Sequence, residues 1–279
     1  MNNNSMNDQD MLAAALINTM PPQLPQMTLT MWDVGHGLSI WIQTPNGQNH
    51  WIDAGWEMGF CPAEHASEKH FVTELDYLII SHPDQDHIQG LTGVIEHIGE
   101  PRALLRNKTL TDEAKFGSGL NECQKIYKSL DTRFTQSIDW PRHPQNPSYN
   151  GGISIETSCL DYTDGMSIND TSVVAFYSFG DWLFILPGDI ETAGWDKLWA
   201  ESAAKFQPLI EGSKYRVLVA PHHGRPTGYT ESMMDVIKPS LILISDKYGK
   251  EDTDPRFRTV ATGLPLTSGS EPELKKFFS

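Results

Sequence analysis

The sequence predicts an α/β sandwich built in two halves, on three observations. Three short alternating segments (28–32, 38–44 and 50–53), separated by the turns Gly35-His36-Gly37 and Pro45-Asn46-Gly47-Gln48, read as an antiparallel meander. The continuous apolar run 75–80 reads as a buried strand, and after a polar loop Ile88, Leu91, Val94, Ile95 and Ile98 recur at helical spacing. From Gly151-Gly152 onward the plan returns, with strands at 153–160, 172–178 and 182–186 and an amphipathic helix over 190–206. A strand at 215–220, a helix over 231–238 and a strand at 241–245 complete it. No repeat is visible in the residues themselves, so the duplication is one of plan.

Taken in order, residues 1–26 are Asn-rich and close on Pro21-Pro22-Gln23-Leu24-Pro25. They are expected to be a flexible tail able to dock on a protein partner. The folded body is expected over 27–250. Residues 56–74 read as a loop whose His65 and His70 lie at the surface. The 101–150 region is helical in pattern and then Pro-rich, and Trp195, Leu198 and Trp199 form the core face of the 190–206 helix. Residues 251–279 are polar and poorly periodic, a C-terminal tail or the edge of a longer chain.

Composition excludes several classes. A chain of 279 residues with eight Trp and eleven Phe can bury a sizeable core. No apolar run is long enough to span a bilayer, and the first Lys or Arg is Lys69, so neither a membrane nor the usual signal peptide is expected. Three widely spaced cysteines (Cys61, Cys123, Cys159) suggest free thiols in a reducing cytoplasm, not a disulfide frame or a zinc knuckle. The net charge of −15 argues against a broad basic face for nucleic acid. Eight basic residues against five acids over 101–142 make that segment the first place to seek an anionic substrate, unless it is a solvated helical surface.

Chemistry concentrates at strand ends. Ser81-His82-Pro83-Asp84-Gln85-Asp86-His87 places two imidazoles and two carboxylates on the loop that leaves the 75–80 strand. Crowded carboxylates raise one another's pKa, a penalty that a divalent cation removes. Alternate residues of an extended loop point apart, so His82/Asp84 and Asp86/His87 can serve two neighbouring ions. Asp189 and the pair His222-His223 follow two further apolar strands. Asp189 is the one candidate carboxylate outside the loop and is therefore expected to bridge. Such a pair of ions, about 3.5–4 Å apart, holds a hydroxide that is nucleophilic at neutral pH.

Asp33-Val34-Gly35-His36-Gly37, Ile52-Asp53-Ala54-Gly55, the 81–87 loop, Asn169-Asp170-Thr171-Ser172, Leu186-Pro187-Gly188-Asp189 and Pro221-His222-His223-Gly224 occur in this order. Together they resemble the metallo-β-lactamase superfamily, and within it the ComEC-like branch, over about residues 28–246. The resemblance implies a four-layer αββα sandwich of mixed sheets and a metal-dependent phosphodiesterase, with nuclease activity on DNA as the expectation. It implies that His82 and Asp84 bind one ion, that Asp86, His87 and one of His222/His223 bind the other, and that Asp189 bridges. Asp53 would orient the metal loop, and Asp86, Asp189, His222 and His223 would carry catalysis. The histidine of the pair that is not a ligand would contact substrate or the departing oxygen. Asn169, Ser172, Asp33 and His36 are the expected substrate contacts.

This sequence departs from the pattern at Asp84, where His is commoner, which favours harder ions. It also has Asn169-Asp170-Thr171-Ser172 in place of a His ligand, Leu38 in place of an acid, and His36 in place of Gln. The expected cofactors are two divalent ions, Zn²⁺ or Mn²⁺ ahead of Mg²⁺. The expected partners are nucleic acid and a protein bound through the terminal segments, as in the effector of a bacterial defence system. Competing readings are a hydrolase for small phosphoesters or esters, and a metal-stabilised protein-binding scaffold.

Overall fold

Alternation along each strand sorts side chains onto two faces, and that sorting builds the layers. In a computed structural model, residues 26–56, 59–117, 119–246, 252–268, 271–275 and 277–278 are described. The expected 1–26 tail lies outside them except for its last residue.

The opening meander is β1 (Thr28–Met31), β2 (Ser39–Gln43) and β3 (Asn49–Ala54), paired antiparallel. Strands β4 (Tyr77–Ile79) and β5 (Ala103–Leu105) add to it in parallel, in the order β1-β2-β3-β4-β5. The second sheet repeats this scheme. Strands β6 (Ser154–Ser158), β7 (Val174–Phe179) and β8 (Trp182–Leu186) are antiparallel, and β9 (Tyr215–Val219) and β10 (Leu241–Leu243) follow in parallel. Beyond β10, the hairpin β11 (Leu264–Ser268)–β12 (Glu271–Lys275) precedes β13 (Phe277–Phe278), which pairs parallel with β10.

Between the sheets, Ile40, Ile42, Ile52, Tyr77 and Ile79 meet Ile155, Ala175, Tyr177, Leu186 and Val219. The alternate residues Trp41, Trp51 and Leu78 face outward onto a layer that includes helices α1 (Pro62–His70), α3 (Leu91–His97), α4 (Asp112–Phe116) and α5 (Glu122–Arg133). On the other side Val174, Phe176, Leu183 and Ile185 pack against Trp195, Leu198 and Phe206 of α6 (Thr192–Gly212) and against Met233, Met234 and Ile237 of α7 (Glu231–Ile237). Each such side chain contributes about 1.5–3 kcal/mol by leaving water. The αββα sandwich of mixed sheets is therefore the observed fold, with two strands of each half in parallel so that their carboxyl ends face one way.

Four expectations are corrected. Residues 62–70 form helix α1, not a loop; it buries Pro62, Ala63 and Ala66, a face too small in side chain to register as apolar periodicity. The single helix expected after the metal loop is two, α2 (Gln85–Ile88) and α3, parted where the Gly90 amide donates to Ala54 O at 2.6 Å. Helix α6 runs past Phe206 to Gly212 and takes Pro208 into its interior. Proline forfeits one helical hydrogen bond there, while buried Phe206 and Ile210 anchor the turns on either side. Within 251–279, expected to be an irregular tail, lie the short helix α8 (Phe257–Val260), with Phe257 fully buried, and strands β11 to β13.

The basic segment also reads differently once folded. Arg102 pairs with Glu74 and Asp76, Arg106 and Lys115 with Asp131, Lys125 with Glu122, Lys128 with Asp112, Arg133 with Glu100, and Arg142 with Asp139. Seven of its eight cations thus sit beside carboxylates, and the surface they leave is close to neutral.

Candidate metal centre

The centre forms where β3, β4, β8 and β9 end. Strand β3 carries a bulge opposite Ser39/Ile40, and the extra residue is Asp53, at φ 55°. Asp tolerates this left-handed conformation better than most residues. The bulge turns the buried carboxylate under the 81–87 loop, where it accepts from the Ser81 amide and the Ser81 hydroxyl, both at 2.7 Å. Its Oδ2 also lies 2.7 Å from His87 Nδ1. In the neutral ring that bond places the proton on Nδ1, and it turns Nε2 into the centre. Gly55 lets three segments close here: a Cβ on it would stand 2.6 Å from Asp86 O and 2.7 Å from Leu38 N.

From the other half, Gly188 at φ 59° brings the end of β8 against Ser81, where a Cβ would meet the serine at 2.6 Å. Asp189, 4% exposed, is held there as its amide donates to Ser172 Oγ at 3.2 Å. After β9 both histidines adopt left-handed backbone, His222 at φ 49° and His223 at φ 55°, which points them apart. His223 Nδ1 donates to Ser245 O at 3.0 Å, and its Nε2 turns inward.

Four residues converge. The Nε2 of His87 lies 3.1 Å from Asp189 Oδ1, and that of His223 lies 3.3 Å from Asp189 Oδ2 and 3.2 Å from Asp86 Oδ2. One donor atom from each of Asp86, His87, Asp189 and His223 falls within 4.8 Å of the others. His82 flanks them, its Nε2 4.0 Å from Asp189 Oδ2 and 3.5 Å from Asp84 Oδ2. The buried Nε2 atoms of His82, His87 and His223 approach these carboxylates without hydrogen-bond geometry, so all three are orphaned donor atoms. An unpaired buried polar atom costs about 1–3 kcal/mol, and three around one buried carboxylate are the arrangement that a divalent cation satisfies. The nitrogen and oxygen donors fit such an ion.

The electrostatics agree. Burial opposes charge on Asp189, but His87 and His223 hold its carboxyl well below the usual range. Burial likewise opposes Asp86, and His223 and His87 bring it down to about 2. In the metal-free chain burial disfavours a proton on His223, yet Asp189 and Asp86 push it up to about 9. His87 is held well above its ordinary value by Asp189 and Asp53 against its burial. The protons stand where positive charge is wanted.

The remaining expected residues are placed as follows. His222 lies outside the four-residue cluster; its Nδ1 faces Thr227 Oγ1 at 2.8 Å and Glu191 Oε1 at 3.1 Å, and burial lowers its pKa. Ser172 is fully buried and supports Asp189 from behind. Asn169 opens the turn that precedes it. Asp33 is exposed and accepts from the Gly35 amide at 3.3 Å. His36 stands at the rim, its ring 4.4 Å from that of His223 and its Nε2 3.6 Å from Asp86 Oδ2. Sequence reasoning missed Ser81, Ser245 and above all Arg225. The Arg225 guanidinium donates to His36 Nε2 at 3.0 Å and to His222 Nε2 at 3.3 Å, and it has no carboxylate partner among the described residues. An open cavity lined by His222, Arg225, Pro226, Thr227 and Asp252 adjoins it.

Comparison with known proteins follows the same lines. The chain is similar to competence protein ComA of Neisseria gonorrhoeae, 24% identical over 245 residues, which cover 85% of this chain and 30% of ComA. It therefore spans less than a third of that relative. No protein-family profile matches it. Among solved structures it is similar to CmlA, a diiron β-hydroxylase from Streptomyces venezuelae, with a TM-score of 0.50 at 15% identity, covering 91% of this chain and 54% of CmlA. A metallo-β-lactamase from Staphylococcus aureus aligns with a TM-score of 0.44 at 13% identity, over 75% of this chain and 59% of that one. The strand order of both sheets and the cluster of candidate donors at the carboxyl ends of β4, β8 and β9 decide the fold. The chain has the metallo-β-lactamase fold. Within this metallo-β-lactamase fold the two halves contribute two residues each, the first supplying Asp86 and His87 and the second Asp189 and His223. No helix among the described residues is long and apolar enough to cross a membrane.

Proposed function

We propose that this chain is a metal-dependent phosphodiesterase that cleaves nucleic acid, DNA ahead of RNA. The observation that carries the reading is the trio of orphaned Nε2 atoms of His82, His87 and His223 gathered around Asp189. Asp86, His87, Asp189 and His223 would hold one divalent ion, and His82 and Asp84, sharing Asp189, a second, Zn²⁺ or Mn²⁺ in either place. When bound, such ions supply Lewis-acid charge and make water acidic enough to act as a nucleophile. The protein's own part is to orient. Asp53 and Ser245 O fix the Nδ1 protons of His87 and His223, Arg225 presents uncommitted positive charge for a phosphate oxygen, and His222 stands at the rim for the departing oxygen. The similarity to a competence protein supports handling of DNA. A place among the effectors of bacterial defence accords with this reading and requires a protein partner.

A second reading, a hydrolase of small phosphodiesters, is favoured by a specific observation. Seven of the eight cations of 101–142 are spent on neighbouring acids, and at a net charge of −15 the described residues of that segment leave no basic track for a long polyanion. One experiment separates the two. Purified chain, assayed for bound metals, is given plasmid, single-stranded DNA, RNA and a chromogenic phosphodiester with Mn²⁺, Zn²⁺ or Mg²⁺. Cleavage of DNA that is lost in Asp189→Asn supports the nuclease; turnover of the small diester alone supports the second reading. Absence of both activities in the metal-loaded protein refutes the class.

A further inference from the structure

A second set of ligand-type side chains lies on the helical layer outside the first sheet. Cys61 is the N-cap residue of α1 and makes no side-chain cap, Glu64 lies in the first turn of that helix, and His97 in the last turn of α3. The Cys61 thiol, the Glu64 carboxylate and the His97 imidazole each offer an atom within 4.8 Å of the other two. None of the three side chains makes a hydrogen bond or ion pair with another described residue. Cys61 is partly buried, while Glu64 and His97 are open to solvent.

The arrangement is fixed by backbone. Residues three or four apart share a helical face, so Cys61 and Glu64 lie together on one helix, and Gly93 and His97 on the other. The Cys61 thiol rests directly on Gly93, where a Cβ would stand 2.4 Å from the sulfur. The missing side chain at 93 lets the thiol reach the face that carries His97. Two packed helices thus aim sulfur, nitrogen and oxygen at one point. That mixed donor set suits Zn²⁺, which accepts thiolate, imidazole and carboxylate in tetrahedral geometry, with water as the fourth ligand.

We propose that Cys61, Glu64 and His97 bind a zinc ion that clamps α1 to α3. The clamp stands apart from catalysis but acts on its supports. Helix α1 follows the segment leaving Asp53, and α3 directly follows α2, which carries Asp86 and His87.

Cobalt titration of the full chain tests this, because the catalytic centre offers only nitrogen and oxygen donors. A thiolate-to-cobalt charge-transfer band in the near ultraviolet therefore reports on the second site alone. The expected result is such a band in the wild type and in Asp189→Asn, its loss in Cys61→Ser, and its weakening in His97→Ala. Zinc is expected to raise the Tm of the wild type more than that of Cys61→Ser. Far-ultraviolet circular dichroism of both metal-free variants separates ligand loss from misfolding, and His97, being exposed, can be replaced without touching the core. No band with cobalt in excess, or a band that survives Cys61→Ser, overturns the site. Equal zinc stabilisation of the wild type and both variants overturns the clamp.

Discussion

Asp53 and Asp189 hold corresponding places in the two halves of the molecule and have opposite surroundings. Asp53 lies near the end of the third strand of its meander and Asp189 just past the third strand of the other, each next to the point where the sheet turns from antiparallel to parallel pairing. Each is buried and lies against a neighbouring loop that carries histidines. Asp53 is met by donors, the Ser81 amide, the Ser81 hydroxyl and His87 Nδ1, and its charge is consumed in holding them. Asp189 is met by orphaned Nε2 atoms, to which it offers charge without completing a bond. The duplicated plan thus supplies the position, and the partners that meet each carboxylate decide whether it supports the centre or belongs to it.

Replacing each aspartate by asparagine tests the contrast most directly. Asp189→Asn is expected to cost the larger amount, about 10³-fold or more in kcat/KM, or about 4 kcal/mol in barrier, with bound metal reduced and circular dichroism unchanged. Asp53→Asn keeps the shape and the tolerance for φ 55° but weakens the hold on His87. Its expected cost is about 10–100-fold in metal affinity or activity. Metal titrations and kinetics on the two variants side by side decide. Equal losses would mean that the two aspartates do not differ in role, and a larger loss at Asp53 would reverse the assignment.

How much of this was legible without coordinates depends on how far apart the partners are. The strands were readable because β-rich runs such as Trp182–Leu186 alternate between two apolar layers, a signal that survives in one dimension. The strand-end groups at 81–87, 189 and 222–223 were readable because ligand types follow apolar runs. Which of His222 and His223 turns inward was not, since it rests on positive φ at both and on a bond from His223 to Ser245 O, twenty-two residues on. Arg225 gave no sign either. A lone arginine after a turn is unremarkable until His36, 189 residues earlier, is seen beside it. Helix α1 hid behind alanines, and the ion pairs that neutralise 101–142 include acids at 74, 76 and 100, outside the segment.

Proton competition sharpens the contrast next. If His223 holds the ion as proposed, metal uptake requires it to give up the proton that Asp86 and Asp189 hold on it to about pH 9 in the metal-free chain. Affinity for a divalent ion is therefore expected to rise between about pH 6.5 and 9, by about tenfold per unit for each proton displaced, and to level off above. Stability of the metal-free chain runs the other way. A histidine with a raised folded pKa contributes fully below its unfolded value of about 6.5, and that contribution is lost as pH climbs through 9. The depressed Asp86 contributes above about pH 4 and loses its effect as pH falls through about 2. Proton release on metal addition, followed calorimetrically across this range, checks the first claim. Denaturant melts with chelator check the second, and a flat profile would sink both.

Arg225 gives the smallest effect and the one that speaks to substrate. Its guanidinium links rim residues from the two halves, His36 after β1 and His222 after β9, and no described carboxylate neutralises it. If it receives a phosphate oxygen, Arg225→Ala should raise KM for a phosphodiester about tenfold, about 1.4 kcal/mol, with kcat little changed. Hydrolysis of an uncharged ester of similar size should scarcely respond, and added salt should weaken wild-type binding of the diester more than that of the variant. Arg225→Lys should recover only part of the loss, because an ammonium cannot bridge two rim histidines and a phosphate with the planar fork of a guanidinium. If instead the alanine variant lost kcat on both substrates alike, Arg225 would be a brace for His222 and His36, and the rim would carry no preference for anions.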